Sequence, residues 1–212
     1  MNVVAAKAST FNCRPLITDL NGVETLDLST KLLETSNYYE IFSLPAGWQI
    51  DRTVLDGRYR QLQREFHPDR YAAKGDVEKR LAVQTTSLIN QAYETLKSPL
   101  KRAQYMLELE DIDADQESHI TSDMSFLMKQ IAFRENLEEI RDSADPLAGL
   151  EAMRDDVQAQ YLQLQEDFQT QYANAKHSAD NYNDALDTVA KMQFFAKLLD
   201  EIEQREEELE DF

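Results

Sequence analysis

Apolar residues recur at intervals of three and four positions along most of the chain, which is the spacing of α-helices that bury one side. In the segment 51–66 five apolar residues follow this spacing. A second such run begins at Asp76 and is broken at Ser98-Pro99. Three longer helical patterns follow at about 122–141, 146–176 and 181–210. The pattern therefore predicts an all-α protein.

Shorter segments flank the first two long helices. Residues 38–44 are predicted as a short helix that stops before a proline, and residues 101–109 as another. Because Pro68 ends the helix that precedes it, residues 67–75 are predicted to form a polar linker. We expect a helical hairpin with short flanking helices, followed by an antiparallel three-helix bundle, since the later connections are short.

Composition agrees with a helical class. Glycine and proline number only 5 each, which is few for the turns of an all-β chain of 212 residues. The single cysteine, Cys13, excludes an intramolecular disulfide and a cysteine-cluster metal site. No apolar run approaches the roughly 18 residues of a membrane span, so we predict no membrane partner.

Charge divides the chain into unlike parts. The formal net charge is −3 for 1–51, +5 for 52–102 and −20 for 103–212. Because the acidic half repels polyanions, we predict no nucleic-acid partner. The acidic stretch 110–115 marks a boundary between two units. The predicted parts are a partly disordered extension at 1–37, a first helical domain at 38–110 and the bundle domain at 111–212.

Residues with catalytic or metal-binding chemistry form no known motif. The histidines, His67, His119 and His177, lack the spacing of a His-Glu-x-x-His or di-iron bundle site, and no phosphate-binding loop occurs. We interpret His119 and His177 as surface residues. We therefore predict no catalytic residue, no metal and no cofactor. An alternative is a helical enzyme that uses carboxylates with a divalent metal, which the 40 acidic residues permit but no ligand spacing supports.

The most distinctive local feature is Phe66-His67-Pro68-Asp69-Arg70 in the polar linker. Alone, the tripeptide is compatible with a simple turn, in which the proline ends a helix and Asp69 turns the chain. Its context is more specific, because it lies between two amphipathic helices and follows a helix with an arginine-rich exposed side. This combination resembles a J-domain, the module that stimulates ATP hydrolysis by DnaK-type chaperones.

A longer resemblance covers both units in order, from about residue 38 to the last residue. It is similar to the HscB family, co-chaperones of iron–sulfur cluster assembly. The stretches that carry it are NYYEIFSLP at 37–45, YRQLQREFHPDR at 59–70, INQAYETL at 89–96, SPL at 98–100 with Arg102-Ala103, FLM at 126–128 and LEDF at 209–212.

The resemblance implies a non-enzymatic adaptor. Such a protein binds the scaffold on which an iron–sulfur cluster is built (an IscU-like protein), delivers it to a DnaK-type, HscA-like chaperone and stimulates ATP hydrolysis there. It implies that the stimulating motif is His67, Pro68 and Asp69. We expect four arginines to steer this loop onto an acidic chaperone surface, namely Arg58, Arg60, Arg64 and Arg70.

The second unit is implied to bind the scaffold. The family positions that contact it match Leu127, Met128, Ile131, Glu135, Glu139 and Phe194. Four of them, from Met128 to Glu139, are spaced by three or four residues and so share one side of a helix. The competing interpretation is that the apolar ones belong to the bundle core, for which Phe133 and Leu137 are better candidates.

Departures from the family pattern affect two expectations. Ala132 stands where the family often has an acidic residue, so one polar contact with the scaffold is expected to be absent. The first 37 residues lack the paired cysteines that some eukaryotic relatives carry, which favours the bacterial cytoplasm over the mitochondrial matrix. The alternative function is a J-domain adaptor that serves a different client protein.

Overall fold

The computed structural model describes residues 30–34, 37–114, 123–178 and 181–210, and these residues form helices without any β-strand. The predicted all-α class is confirmed for this part of the chain. The helices are α1 (residues 30–34), α2 (Tyr38–Ile41), α3 (Arg52–Phe66), α4 (Asp76–Lys97), α5 (Pro99–Glu108), α6 (Met124–Arg141), α7 (Pro146–Ser178) and α8 (Asn183–Glu210). A 3-10 turn, Pro68–Tyr71, connects α3 to α4.

In the N-terminal half, α3 and α4 form the predicted hairpin, and α2 and α5 pack against α4. The Asp51 side chain starts α3 by accepting hydrogen bonds from the N–H groups of Thr53 and Val54. Ser98 begins α5 in the same way, with its hydroxyl accepting from the Lys101 N–H. The fully buried side chains of this half include Phe42, Leu55, Phe66, Ile89 and Leu96.

In the C-terminal half, the two longest helices, α7 and α8, pack against each other along their length. Their buried side chains include Val157, Phe168, Met192, Phe195 and Ile202. Helix α6 joins this pair through aromatic rings, because Phe126 and Phe133 each make edge-on contact with Phe195. The three helices correspond to the predicted bundle.

Some element ends differ from the sequence pattern. Helix α2 ends at Ile41 rather than at residue 44, because the backbone turns at Ser43 with a φ of 51°. Helix α5 begins two residues early, at Pro99, since a proline fits the first turn of a helix. Within the predicted extension, residues 30–34 are helical and Leu32 is buried in the core. This segment is too short to give a recognisable period.

Other expectations fall on residues outside the described ranges. These are the remainder of the extension with Cys13, the position of His119 and the last two residues. Among the helices that are described, none is both long and apolar enough to cross a lipid bilayer.

Candidate partner-binding surfaces

The first candidate surface is the loop that follows α3. At its start, His67 leaves the helical conformation, with φ −59° and ψ 128°, as expected of a residue before proline. The Asp69 N–H donates to His67 Nδ1 at 3.3 Å, and the Arg70 N–H donates to the His67 carbonyl at 3.0 Å. The side chains of His67 and Asp69 are 52% and 90% exposed, so both groups are available to a partner.

Three hydrogen bonds fix this loop on the hairpin. Thr86 of α4 donates its hydroxyl to the Phe66 carbonyl at 2.8 Å, and the Tyr71 hydroxyl donates to the Glu65 carbonyl at 3.4 Å. Arg70 Nη1 donates to the Arg64 carbonyl at 3.0 Å. These bonds satisfy carbonyls at the end of α3 that have no helical partner. The exposed imidazole and carboxylate therefore stand on an ordered backbone.

The four predicted arginines do not share one side of the molecule. Arg60 and Arg64 are exposed and one helical turn apart on α3, and Arg70 reaches back to the same end of the helix. Arg58 is half-buried, and residues two apart on a helix do not face the same way. The structure thus groups Arg60, Arg64 and Arg70 beside the His67 loop and sets Arg58 apart from them. The two-residue separation of Arg58 from Arg60 was already visible in the sequence.

The second candidate surface lies on α6, which ion pairs hold at both ends. At the start, Lys191 Nζ of α8 lies 2.8 Å from the Asp123 carboxylate. This ion pair, with hydrogen bonds from Ser125 and the backbone, holds the pKa of Asp123 well below its ordinary value. At the far end, Arg205 of α8 lies 2.8 Å from the Glu138 carboxylate, which lowers the pKa of Glu138. Helix α6 is therefore held in a defined position on α8.

The outward side of α6 carries an apolar stripe. Met124, Met128 and Ile131 are 70%, 61% and 51% exposed and follow one another at intervals of four and three residues. Glu135 and Glu139, also exposed, continue the same side toward the end of the helix. We call these five residues the α6 stripe. Exposed large apolar side chains in a row, followed by acids, are typical of a protein-binding surface.

Two predicted scaffold-binding residues lie outside the stripe. Leu127 is half-buried on a flank of α6. Phe194 of α8 is also half-buried, and its ring centroid lies 5.7 Å from that of Phe126 in an edge-on contact. Of the core candidates, Leu137 is buried and Phe133 is half-buried against the aromatic cluster. The structure thus brings together Met128, Ile131, Glu135 and Glu139, with Leu127 on the flank of α6 and Phe194 against the inward-facing rings of Phe126 and Phe133.

Sequence reasoning missed Met124, the most exposed large apolar side chain in the described part of the chain. It lies four residues, about one turn, before Met128, so its spacing alone would have placed it on the stripe. The helix begins at Met124 rather than at the predicted residue 122. Within the described ranges, no group of three or more His, Cys, Asp or Glu side chains is arranged to hold a metal ion.

Comparisons with known proteins cover both halves. The profile of the DnaJ domain matches residues 37–105, and that of the HSCB C-terminal oligomerisation domain matches residues 122–203. The co-chaperone protein HscB homolog of Shewanella sp. strain MR-4 is 42% identical over 178 residues, which are 82% of this chain and 99% of the relative. The homolog of Shewanella oneidensis is 41% identical over the same length.

Solved structures give the same result. The chaperone HscB from Vibrio cholerae aligns with a TM-score of 0.72 and 38% identity, over 82% of this chain and 99% of the other. The crystal structure of human co-chaperone HscB aligns with a TM-score of 0.70 and 26% identity, over 81% and 83%. These alignments leave about a fifth of this chain without a counterpart.

Proposed function

The chain belongs to the HscB family of J-domain co-chaperones, and from this premise we propose what each of its two exposed surfaces binds. The partner of its J-domain is a chaperone of the DnaK type. The specific role is to bind an IscU-like iron–sulfur scaffold protein, to deliver it to an HscA-like chaperone and to stimulate ATP hydrolysis there. Cluster transfer to an acceptor protein follows. The protein itself acts as an adaptor rather than an enzyme, in the bacterial cytoplasm.

The chaperone binds the loop at His67, Pro68 and Asp69. The observation that carries the proposal is that this loop is fixed by hydrogen bonds while its imidazole and carboxylate stay exposed. A loop that is already ordered loses little conformational entropy on binding, so more of the contact energy appears as affinity. Arg60, Arg64 and Arg70 supply a positive surface that speeds encounter with an acidic partner, and Arg58 adds charge from the side.

The scaffold binds the outward side of α6. The exposed methionine and isoleucine of the α6 stripe provide apolar area, and Glu135 and Glu139 provide an acidic rim. Leu127 adds apolar area from the flank of α6, and the half-buried Phe194 adds it from α8. A partner of complementary chemistry has an apolar centre with basic residues at one end. In domain terms, residues 38–110 act as the J-domain, residues 111–212 as the scaffold-binding domain, and residues 1–37 as an extension.

Steady-state ATP hydrolysis by the HscA-like chaperone tests this function. It is measured with this protein alone, with the scaffold alone and with both together. We expect the largest rate with both. If this protein raises the rate but the scaffold adds nothing, the chaperone partner stands and the client is a different protein. That outcome is the alternative function. The absence of any rise would contradict the proposal for the His67 loop.

A further inference from the structure

Arg102 lies beside one of the contacts between the two halves of the molecule, where α5 also packs against α8. From α5, its Nε donates to the Leu96 carbonyl at 2.9 Å and its Nη1 donates to the Trp48 carbonyl at 2.7 Å. Its guanidinium carbon is also 5.2 Å from the centroid of the Trp48 ring. One side chain thus joins α5, the end of α4 and the loop between α2 and α3.

Trp48 is where this loop meets the bundle. Its ring centroid lies 5.1 Å from that of Phe168, a fully buried residue of α7. Next to it, Gln49 Nε2 donates to Gln169 Oε1 at 2.9 Å. If Trp48 moves, these two contacts between the α2–α3 loop and α7 are lost or displaced.

The chemistry of Arg102 suits a residue that fixes geometry. Its hydrogen bonds go to backbone carbonyls in two directions, and a planar guanidinium holds such bonds at a set angle. It is half-buried, and this burial lowers its pKa. A cation kept away from water in this way is retained here by the two carbonyls and the indole ring.

The orientation of the two halves matters if the proposed function holds, and this inference rests on it. The His67 loop is in the hairpin half, and the α6 stripe is in the bundle. An adaptor that presents one bound protein to another acts through effective concentration, which is greatest when the two sites keep one separation and angle. A loose junction spreads the scaffold over positions that the chaperone cannot use.

We propose that Arg102 is a positioning residue: by holding Trp48 against Phe168, it fixes the J-domain on the bundle and couples scaffold binding to ATPase stimulation. Two substitutions separate geometry from charge. Arg102→Met keeps the packing of the stem and removes both hydrogen bonds, whereas Arg102→Lys keeps the charge but cannot reproduce the planar fork. The control is Arg154→Met, which breaks a half-buried ion pair with Glu206 inside the bundle.

The structural measurement needs no partner. Spin labels at Ser87→Cys on α4 and Lys197→Cys on α8, both exposed positions, report the distance between the halves in a Cys13→Ser background. We expect one narrow distance distribution in the unsubstituted protein and in Arg154→Met. Arg102→Met broadens it, and Arg102→Lys gives an intermediate width. An unchanged distribution in Arg102→Met would overturn the positioning role.

The functional measurement is ATP hydrolysis with and without scaffold. We expect Arg102→Met to stimulate the chaperone normally without scaffold and to bind scaffold normally. The extra stimulation that scaffold gives should fall by about fivefold or more, the lower end of usual coupling between two sites. Unchanged enhancement in a variant with broadened distances would overturn the coupling. If the unsubstituted protein itself shows no enhancement, the proposed function fails, while the distances still decide the positioning role.

Discussion

Lys176 Nζ of α7 lies 2.6 Å from Glu110 Oε1, just beyond the end of α5, and so ties the bundle to the J-domain at a second point. The Tyr172 hydroxyl donates to the same carboxylate oxygen at 2.9 Å. Lys176, followed by Tyr172, lowers the pKa of Glu110 below its ordinary value. The junction thus has an aromatic contact at Trp48 and a charged contact here.

This charged contact predicts a specific loss of stability in acid. Because the pKa of Glu110 is lower in the folded chain, its contribution to stability is complete above the ordinary carboxyl pKa of about 4.3 and is lost as the pH falls through the lowered value. Glu110→Gln should therefore flatten the pH dependence of the free energy of unfolding below about pH 5. Urea unfolding followed by circular dichroism between pH 7 and pH 3 measures it.

Glu151→Gln on α7 is the matched control, since Glu151 is exposed. The control should keep the acid dependence of the unsubstituted protein. If Glu110→Gln follows the same curve as the control, the ion pair with Lys176 does not stabilise the fold.

The His67 loop predicts a loss of activity without a loss of stability. His67→Gln removes an exposed imidazole that makes one long internal hydrogen bond, so the free energy of unfolding should change by less than about 0.5 kcal/mol. Stimulation of the chaperone ATPase should fall at least about tenfold, as a central contact worth more than about 1.4 kcal/mol would give. Ala73→Gln, an exposed position of the same linker, is the control and should stimulate normally. Equal stimulation by both variants contradicts the assignment.

The α6 stripe predicts weaker scaffold binding in a stable protein. Met128→Ala and Ile131→Ala remove side chains that are 61% and 51% exposed, so melting should hardly change. If the scaffold covers them, each substitution should cost about 1–2 kcal/mol of binding energy, or roughly five- to thirtyfold in Kd. Met124→Ala should weaken binding in the same direction. Calorimetry measures the Kd for the scaffold, and Leu162→Ala on α7, at an equally exposed leucine, is the control. An equal loss of affinity in Leu162→Ala would contradict the stripe as the binding surface.

Local periodicity predicted much of this fold. The helices α3, α4 and α6 to α8 each bury a continuous side, so apolar residues recur at helical spacing in their sequences. The aromatic contact of Trp48 with Phe168 was beyond such reasoning, because it joins loop and helix positions that are 120 residues apart. The burial of Leu32 was not predicted because a helix of five residues does not establish a period.

For the binding surfaces, the types of residue involved were easier to predict than the side of the helix on which each residue lies. The His67 loop was predicted by its context, and the structure adds the bonds from Thr86 and Arg70 that order it. Arg58 was grouped with Arg60 by residue type, although a two-residue separation places them on different sides of α3. Leu127 shows the same limit, because a family resemblance gives a position and not its exposure.

Two helical glycines predict stability changes of opposite sign. A Cβ on Gly149, in the first turns of α7, would lie 2.9 Å from Cγ2 of the buried Ile140 at the end of α6. Gly149→Ala should therefore destabilise the protein by about 1–3 kcal/mol. A Cβ on Gly57 of α3 meets nothing within 4 Å, so Gly57→Ala should stabilise it by about 0.5–1 kcal/mol.

Chemical denaturation of both variants measures these changes, and a second-site variant tests the cause. Ile140→Ala removes the atoms that the new Cβ would meet, so the double variant Gly149→Ala/Ile140→Ala should lose less stability than the two single losses added together. Strict additivity would show that the close approach of α6 and α7 is not what requires glycine at position 149. Stabilisation by Gly149→Ala would contradict the close approach itself, whereas the Gly57 result reports only helix propensity.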